Sequence, residues 1–191
     1  MQKKEFLIVV LISMALSALV VCGVVWYGSR PPSLGGDFTL NHRGKDWNLA
    51  ENAKKLNLVY VGYAKCPDVC PMSLSYAAQA FRKLSPDDLE KVQFIFISVD
   101  VENDTAASVA DYAANFYPLF IGLTGKKEIL DQVVSSIGAS YMVEKNPNSY
   151  LGYSIAHSDR IFLLNKKGFV IDTLPGLRSD QALLDKLKEL L

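Results

Sequence analysis

Cysteine and histidine are scarce in this chain: three cysteines (Cys22, Cys66, Cys70) and two histidines (His42, His157) among 191 residues. So few cysteines exclude a disulfide-built scaffold, and a pair of them in one loop needs a chemical reason. A closed structural zinc site draws on four protein ligands, and neither a fourth cysteine nor a second nearby histidine is available. Net charge is lacking too, because 20 Lys+Arg balance 20 Asp+Glu. That balance removes the electrostatic case for nucleic acid or an anionic membrane surface as partner. Low-complexity tracts and internal repeats are absent. What remains is 50% hydrophobic and suits one domain plus an accessory segment.

Residues 6–27 contain no charged side chain at all. At about 1.5 Å rise per residue, a helix of that length just covers a hydrocarbon core about 30 Å thick. Lys3 and Lys4 precede it, while Trp26 and Tyr27 would sit at the far interface as aromatic anchors. Positive charge before the span places residues 1–5 in the cytoplasm and everything after it outside. A cleaved secretory signal is the competing reading, but it would carry about 7–15 apolar residues and a small-residue cleavage site, and none is clear. Cys22 raises the alternative of lipid attachment. Val21 before it is too bulky for that signal, so Cys22 reads as an apolar residue in the membrane. Residues 28–36 (GSRPPSLGG) form a linker, and residues 37–191 the soluble domain.

Within that domain, 38–40 and 47–49 flank a polar turn and read as a hairpin, with His42 exposed in the turn. Residues 57–61 read as a buried strand. Helical spacing of Leu74, Ala77, Ala78, Phe81 and Leu84 predicts a helix over 72–84. Residues 92–99 are nearly all apolar, as expected of a strand covered on both faces. A helix opened by Asp104-Thr105 then runs through Phe116, a strand spans 119–123, and Thr124 caps a helix over 126–137. Residues 138–158 read as a protruding hairpin that ends at His157. An antiparallel pair (160–164, 169–171) and a closing helix capped by Ser179 complete the chain. This order predicts an α/β, thioredoxin-like domain with an inserted hairpin, preceded by one transmembrane helix.

Cys66 and Cys70 lie four positions apart in Cys-Pro-Asp-Val-Cys-Pro, between the first buried strand and its helix. An α/β fold presents chemistry at this place, the carboxyl end of a strand. Pro71 suits the first helical position, which makes Cys70 the N-cap, near the positive end of the helix dipole that favours thiolate. Three readings follow. A structural disulfide fits an oxidising compartment, yet so short a loop is worth only about 2 kcal/mol in the closure model. A thiol–disulfide oxidoreductase would use one cysteine to attack and the other to resolve. Against that reading, the spacing is wider than CxxC, and Asp68 adds negative charge between the sulfurs. Metal binding through two thiolates and His157 would give a soft set suited to copper, Cu(I) above all, with a fourth position left for Cu(II).

The stretch Tyr60-Val-Gly-Tyr-Ala-Lys-Cys66-Pro67-Asp68-Val69-Cys70-Pro71 closely resembles the signature of the Sco (SenC) copper proteins. Phe96-Ile97-Ser98-Val99-Asp100, Gly122-Leu123-Thr124-Gly125 and His157-Ser158 match further blocks in the same order, as do the anchor, the linker and residues 35–40. The resemblance implies one copper bound by Cys66, Cys70 and His157. It also implies a role in building the binuclear copper centre of cytochrome c oxidase subunit II. Other copper chaperones or thiol–disulfide proteins are further expected partners, and no nucleic acid is. The expected location is a bacterial inner membrane, with the soluble domain in the periplasm.

Two departures from the family pattern stand out. The family usually has Asp before the ligand histidine, and here that position is Ala156. Such a carboxylate orients an imidazole, so Cu(II) affinity or redox poise is expected to differ. The block DPxRDT reads Asp100-Val101-Glu102-Asn103-Asp104-Thr105, without its Pro and Arg. The expected consequence is a change of surface and loop stiffness. Copper delivery and reduction of a target's cysteines use the same two thiols and stay open at this level, as does a copper or redox sensor.

Overall fold

A computed structural model describes residues 2–28 and 33–191, which divide into two compact units at Ser33/Leu34. The first is a single helix, α1 (Gln2–Gly28), whose span Glu5–Val25 is long and apolar enough to cross a membrane. Its apolar side chains are exposed all round and form no amphipathic stripe, as a lipid-facing helix requires. The side chains of Trp26 and Tyr27, and residues 29–32 of the expected linker, lie outside the described residues. The second unit starts at Leu34, three residues before the expected boundary. Residues 34–36, read above as the tail of a linker, are hydrogen-bonded into it: Gly35 N–H donates to Ser136 O at 2.7 Å, and Val170 N–H to Leu34 O at 2.9 Å.

The second unit runs β1 (Thr39–His42), β2 (Lys45–Asn48), α2 (Leu49–Asn52), β3 (Leu56–Gly62), α3 (Val69–Arg82), α4 (Pro86–Leu89), β4 (Val92–Ser98), α5 (Ala106–Phe116), β5 (Ile121–Leu123), α6 (Lys127–Ser136), β6 (Tyr141–Lys145), β7 (Tyr153–His157), β8 (Arg160–Asn165), β9 (Val170–Pro175) and α7 (Asp180–Leu190). Five strands form the main sheet in the order β5-β4-β3-β8-β9. β3, β4 and β5 are parallel, while β8 pairs antiparallel with β3 and β9 antiparallel with β8. Every residue of β3 and β4 is buried, as their unbroken apolar runs predict for strands with both faces covered. The β6–β7 hairpin stands apart as a two-stranded sheet, which is the expected insertion.

Local differences from expectation have local causes. α3 begins at Val69 with Asp68 as N-cap, so Cys70 lies inside the first turn and Pro71 one place further on. Proline is tolerated there because first-turn N–H groups have no partner within the helix. The N-cap of α6 is Lys126, not Thr124. Thr124 instead pairs its backbone with Asn41 and gives its hydroxyl to Ser98 O at 3.1 Å, tying the β1–β2 hairpin to the sheet. That hairpin turns on Arg43 and Gly44 alone, both at positive φ (50° and 85°), the two-residue geometry that matches strand twist. His42 therefore belongs to β1 and is half-buried, its Nδ1 lying 2.9 Å from Gly122 O. Ser85–Asp88, read as a turn, is the capped start of the short helix α4.

Candidate metal centre

Two parallel strands and one antiparallel strand decide where the site lies. β3 ends at Gly62 and the chain passes through a short loop into α3, carrying Cys66 and then Cys70. β8 runs the other way beside β3, with Tyr60 opposite Ile161. The residues entering β8 therefore meet those leaving β3, and His157, at the end of β7, arrives beside the cysteines. One sulfur or nitrogen from each of Cys66, Cys70 and His157 lies within 4.8 Å of the other two. Cys70 Sγ is 3.3 Å from His157 Nε2. Among the described residues this is the one Cys/His/Asp/Glu group of three or more placed to hold a metal ion.

Both cysteines are free thiols and both are buried, Cys70 completely. They are not equivalent. Cys70, as a hydrogen-bond donor to a Cys66 thiolate, does most to pull the Cys66 thiol down to about 4. His157 and the backbone N–H groups of Asp68 and Cys70 add to this, against the burial that opposes it. The proton stays on Cys70, whose thiol is pushed far up by the same hydrogen bond and by its burial. Of the two, Cys66 is thus the one favoured as thiolate and Cys70 the one that keeps its proton. The negative charge of Asp68, counted above against a thiolate, sits on an exposed side chain, while its backbone N–H acts in the thiolate's favour.

His157 is clamped rather than tightly hydrogen-bonded. Its Nδ1 lies 3.4 Å from Ser158 O, a long contact. Nε2 faces the sulfurs: carrying the proton it supports the Cys66 thiolate, and metal binding needs the tautomer with the proton on Nδ1. The rings of Tyr60 and Tyr63 stand edge-on to the imidazole, with centroids at 6.0 and 6.1 Å. The strand end is fixed from behind, as Ser158 N–H donates to Ser140 O and Ser140 N–H to Ser158 Oγ, both at 3.0 Å.

With metal–sulfur and metal–imidazole bonds of about 2.3 and 2.0 Å, three donors around one ion stand roughly 3.7–4.0 Å apart. The three donor atoms, within 4.8 Å of one another, therefore fit a single ion with a closing shift of under about 1 Å, and their softness suits a thiophilic metal. His42, by contrast, lies on β1 with its ring committed to Gly122 O and takes no part. Cys22 is on α1, in the other unit.

Four further residues shape the site, and composition gave no sign of them. Gly62 is the first: a Cβ built there would stand 2.5 Å from Cys70 Sγ and 3.1 Å from Phe96 Cε2. Asp104 is the second, only 6% exposed, accepting from Ala64 N–H (2.8 Å) and Ser98 Oγ (2.6 Å). It thereby ties the cysteine loop to the end of β4. Asp100, 4% exposed, accepts from Asn103 at 2.8 Å and from the Tyr153 hydroxyl, joining the loop after β4 to the β6–β7 hairpin. Within the block 100–105, Val101 and Asn103, which replace the family's Pro and Arg, lie at the surface as expected, whereas Asp100 and Asp104 form an internal brace and Thr105 alone caps α5. Asp159 is the fourth, and Ala156 before the histidine is exposed, with Met142 opposite it.

The model of the family described as SCO1/SenC matches residues 28–191. The chain belongs to the SCO1/SenC family. A mitochondrial SCO2 homologue from Bos taurus is 36% identical over 155 residues, covering 80% of this chain and 58% of its own length. An SCO2-like protein from Rickettsia felis is 30% identical over 148 residues, covering 74% of this chain and 72% of its own. The crystal structure of Arabidopsis thaliana ScoI with copper bound superposes with a TM-score of 0.75 at 30% identity, over 83% of this chain and 98% of that one. The thioredoxin-like Sco fold is therefore the fold of residues 34–191. The chain spans little more than half the length of the bovine relative.

Proposed function

We propose that this Sco protein is a membrane-anchored copper metallochaperone that holds one copper ion through Cys66, Cys70 and His157. Its service would be to the assembly of the binuclear copper centre of cytochrome c oxidase, with subunit II as the recipient. The observation that carries this reading is the meeting of two thiols and one imidazole nitrogen within 4.8 Å at the end of β3. The copper-bound plant relative with the same fold supports the choice of metal. Copper, when bound, is a thiophilic cargo that passes between sites of similar ligands by exchange. The chain's own part is to present Cys66 as a thiolate and to release the Cys70 proton, so that uptake at neutral pH frees protons. Helix α1 would anchor the chain in a bacterial inner membrane, with residues 1–5 in the cytoplasm and the domain in the periplasm.

The test is a Cu(I) titration against a competing chelator, on the reduced and the Cys66–Cys70 oxidised chain. Because thiolates bind the metal, the reduced form takes up one equivalent and the oxidised form essentially none. Equal uptake by both refutes the ligand set. A reporter active only outside the cytoplasm, joined after Leu34, tests the orientation.

The unequal thiols favour a second reading, reduction of a target's disulfide. Cys66 thiolate would attack one sulfur of the target to form a mixed disulfide, and the target's first thiolate would leave. Cys70 would then give up its proton and displace the second, leaving two reduced thiols in the target and a Cys66–Cys70 disulfide. His157→Ala separates the two readings, since reduction does not need the imidazole as a ligand. Loss of oxidase copper-centre assembly with disulfide reduction intact supports copper handling. Assembly that survives without His157 but fails in Cys66→Ser supports the reductase.

A further inference from the structure

Away from the cysteines, the imidazole of His157 has only the long Nδ1 contact to Ser158 O, so what packs on the ring helps to set its direction. Of its two tyrosine neighbours, Tyr63 belongs to the cysteine loop, but Tyr60 lies in the wholly buried central strand β3. The Tyr60 hydroxyl donates to Asp159 Oδ1 at 2.8 Å, and Arg178 Nη2 donates to Asp159 Oδ2 at 2.8 Å. The space for this carboxylate is kept open by Gly176, where any Cβ would overlap the Asp159 side chain. Gly176 N–H also donates to Asp159 O at 2.8 Å. Thus Asp159 is gripped from the loop that leads into α7, and through Tyr60 it reaches the imidazole edge.

We infer that Asp159, held by Arg178 and Gly176, is a positioning residue that fixes the Tyr60 ring and with it the orientation of His157 toward the two cysteines. This rests on the copper reading above and names the device that tunes the site. A stability role alone explains the arrangement poorly. The Asp159–Arg178 pair opens to solvent on the arginine side (side chains 27% and 56% exposed), and solvent-screened pairs contribute little to folding. Its directional consequence is larger. Cu(I) is content with two sulfur ligands, whereas Cu(II) prefers an added nitrogen, so an imidazole free to turn weakens the site for Cu(II) selectively.

The experiment uses the full chain in detergent micelles, with wild type, Tyr60→Phe, Asp159→Ala and Asp159→Asn, each checked for folding by circular dichroism. Removing an outer partner of a metal-binding histidine typically costs 10–100-fold in affinity. Tyr60→Phe and Asp159→Ala should each weaken Cu(II) binding by about tenfold or more and shift the thiolate charge-transfer band, with Cu(I) affinity changed less than about twofold. Asp159→Asn keeps an acceptor for Tyr60 and should recover most of the loss. In the metal-free chain, magnetic-resonance contacts between the residue-60 ring and the His157 ring should be present in wild type and averaged away in Asp159→Ala. Wild-type Cu(II) affinity and band in both disruptive variants overturn the inference, as does an equal loss for both oxidation states. A wild-type chain that takes up no copper refutes the proposed function instead. The ring contacts of the metal-free variants then decide the positioning role by themselves, unchanged contacts overturning it.

Discussion

Replacing Gly62 by Ala adds one methyl group at the tightest point of the site. Gly62 closes β3, pairs with Ser98 of β4 and has no positive φ, so the backbone accepts alanine readily. Reduced freedom of the unfolded chain would stabilise such a variant by about 0.4–1 kcal/mol. The new Cβ, however, would lie 2.5 Å from Cys70 Sγ and 3.1 Å from Phe96 Cε2. An ordinary contact needs about 3.5–4.0 Å, so the sulfur must retreat by roughly 1 Å. Overpacking of this kind costs about 1–3 kcal/mol, which wins over the backbone gain. The expected net loss is about 1–2 kcal/mol, read as a lower urea midpoint with unchanged slope. The effect on the site is sharper than the effect on the fold. Metal sites tolerate errors of about 0.2 Å in ligand distance, so Cu(I) affinity should fall more than about tenfold while the fold persists. Chelator competition on the reduced variant measures this. Wild-type affinity at reduced stability would show that Cys70 is not held where the metal needs it.

The remaining predictions concern the thiolate and the brace beneath it. Because Cys66 is pulled down to about 4, its thiolate is complete well below neutrality, and reactivity is lost only as pH falls toward that value. Iodoacetamide should therefore modify Cys66 at a rate nearly flat between about pH 6 and 8, where a free thiol with pKa about 8.5 gains nearly tenfold per unit at the lower end. Mass spectrometry should find Cys70 unmodified over the same period. Cys70→Ser weakens the hydrogen bond that does most to lower Cys66, so the rate should regain pH dependence; a steep profile in the wild type would refute the assignment. Asp104→Ala leaves Ala64 N–H and Ser98 Oγ without their acceptor and should cost about 1–3 kcal/mol. A melting temperature lowered by several degrees and faster alkylation of Cys70 are expected, whereas unchanged values of both would remove Asp104 from the brace.

Sequence patterning carried most of the fold because the elements that matter are strongly periodic or strongly apolar. The runs at 57–61 and 92–99 could only be buried strands once Pro, Gly and Asp bounded them, and β3 and β4 fall within a residue or two of those limits. Helix starts were less legible, since Thr124 and Lys126 both precede an amphipathic run, and the choice between them depends on whether Asn41 and Ser98 claim Thr124. The cysteine pair announced itself by position. His157 was only a candidate by its residue type, and the family resemblance, not a local pattern, made it the expected third ligand. The burial of Asp100 and Asp104 was not legible for a related reason. Carboxylates after a strand look like solvated loop, and their burial follows only when Tyr153, Ala64 and Ser98 are seen to supply donors.

The register of one strand pair accounts for why the three candidate ligands can meet at all. β3 and β4 are parallel, so the loops that follow them open on the same edge of the sheet, and α3 and the brace at 100–104 start there together. β8 is antiparallel to β3 and must begin at that same edge, which brings residues 157–159 to Cys70 and Tyr60. Successive strand residues point to opposite faces, so a slip of one residue between β8 and β3 would turn Asp159 away from Tyr60 and carry His157 about 3.3 Å along the strand. The irregularity in β8 falls between Leu163 and Leu164, on its pairing with β9, and leaves the β3 register continuous from Leu56 to Tyr60. The wholly buried core beneath β8, with Ile161, Leu163 and Leu164 all at 0% exposure, is what forbids the slip. Its apolar packing holds the histidine in register with the cysteines.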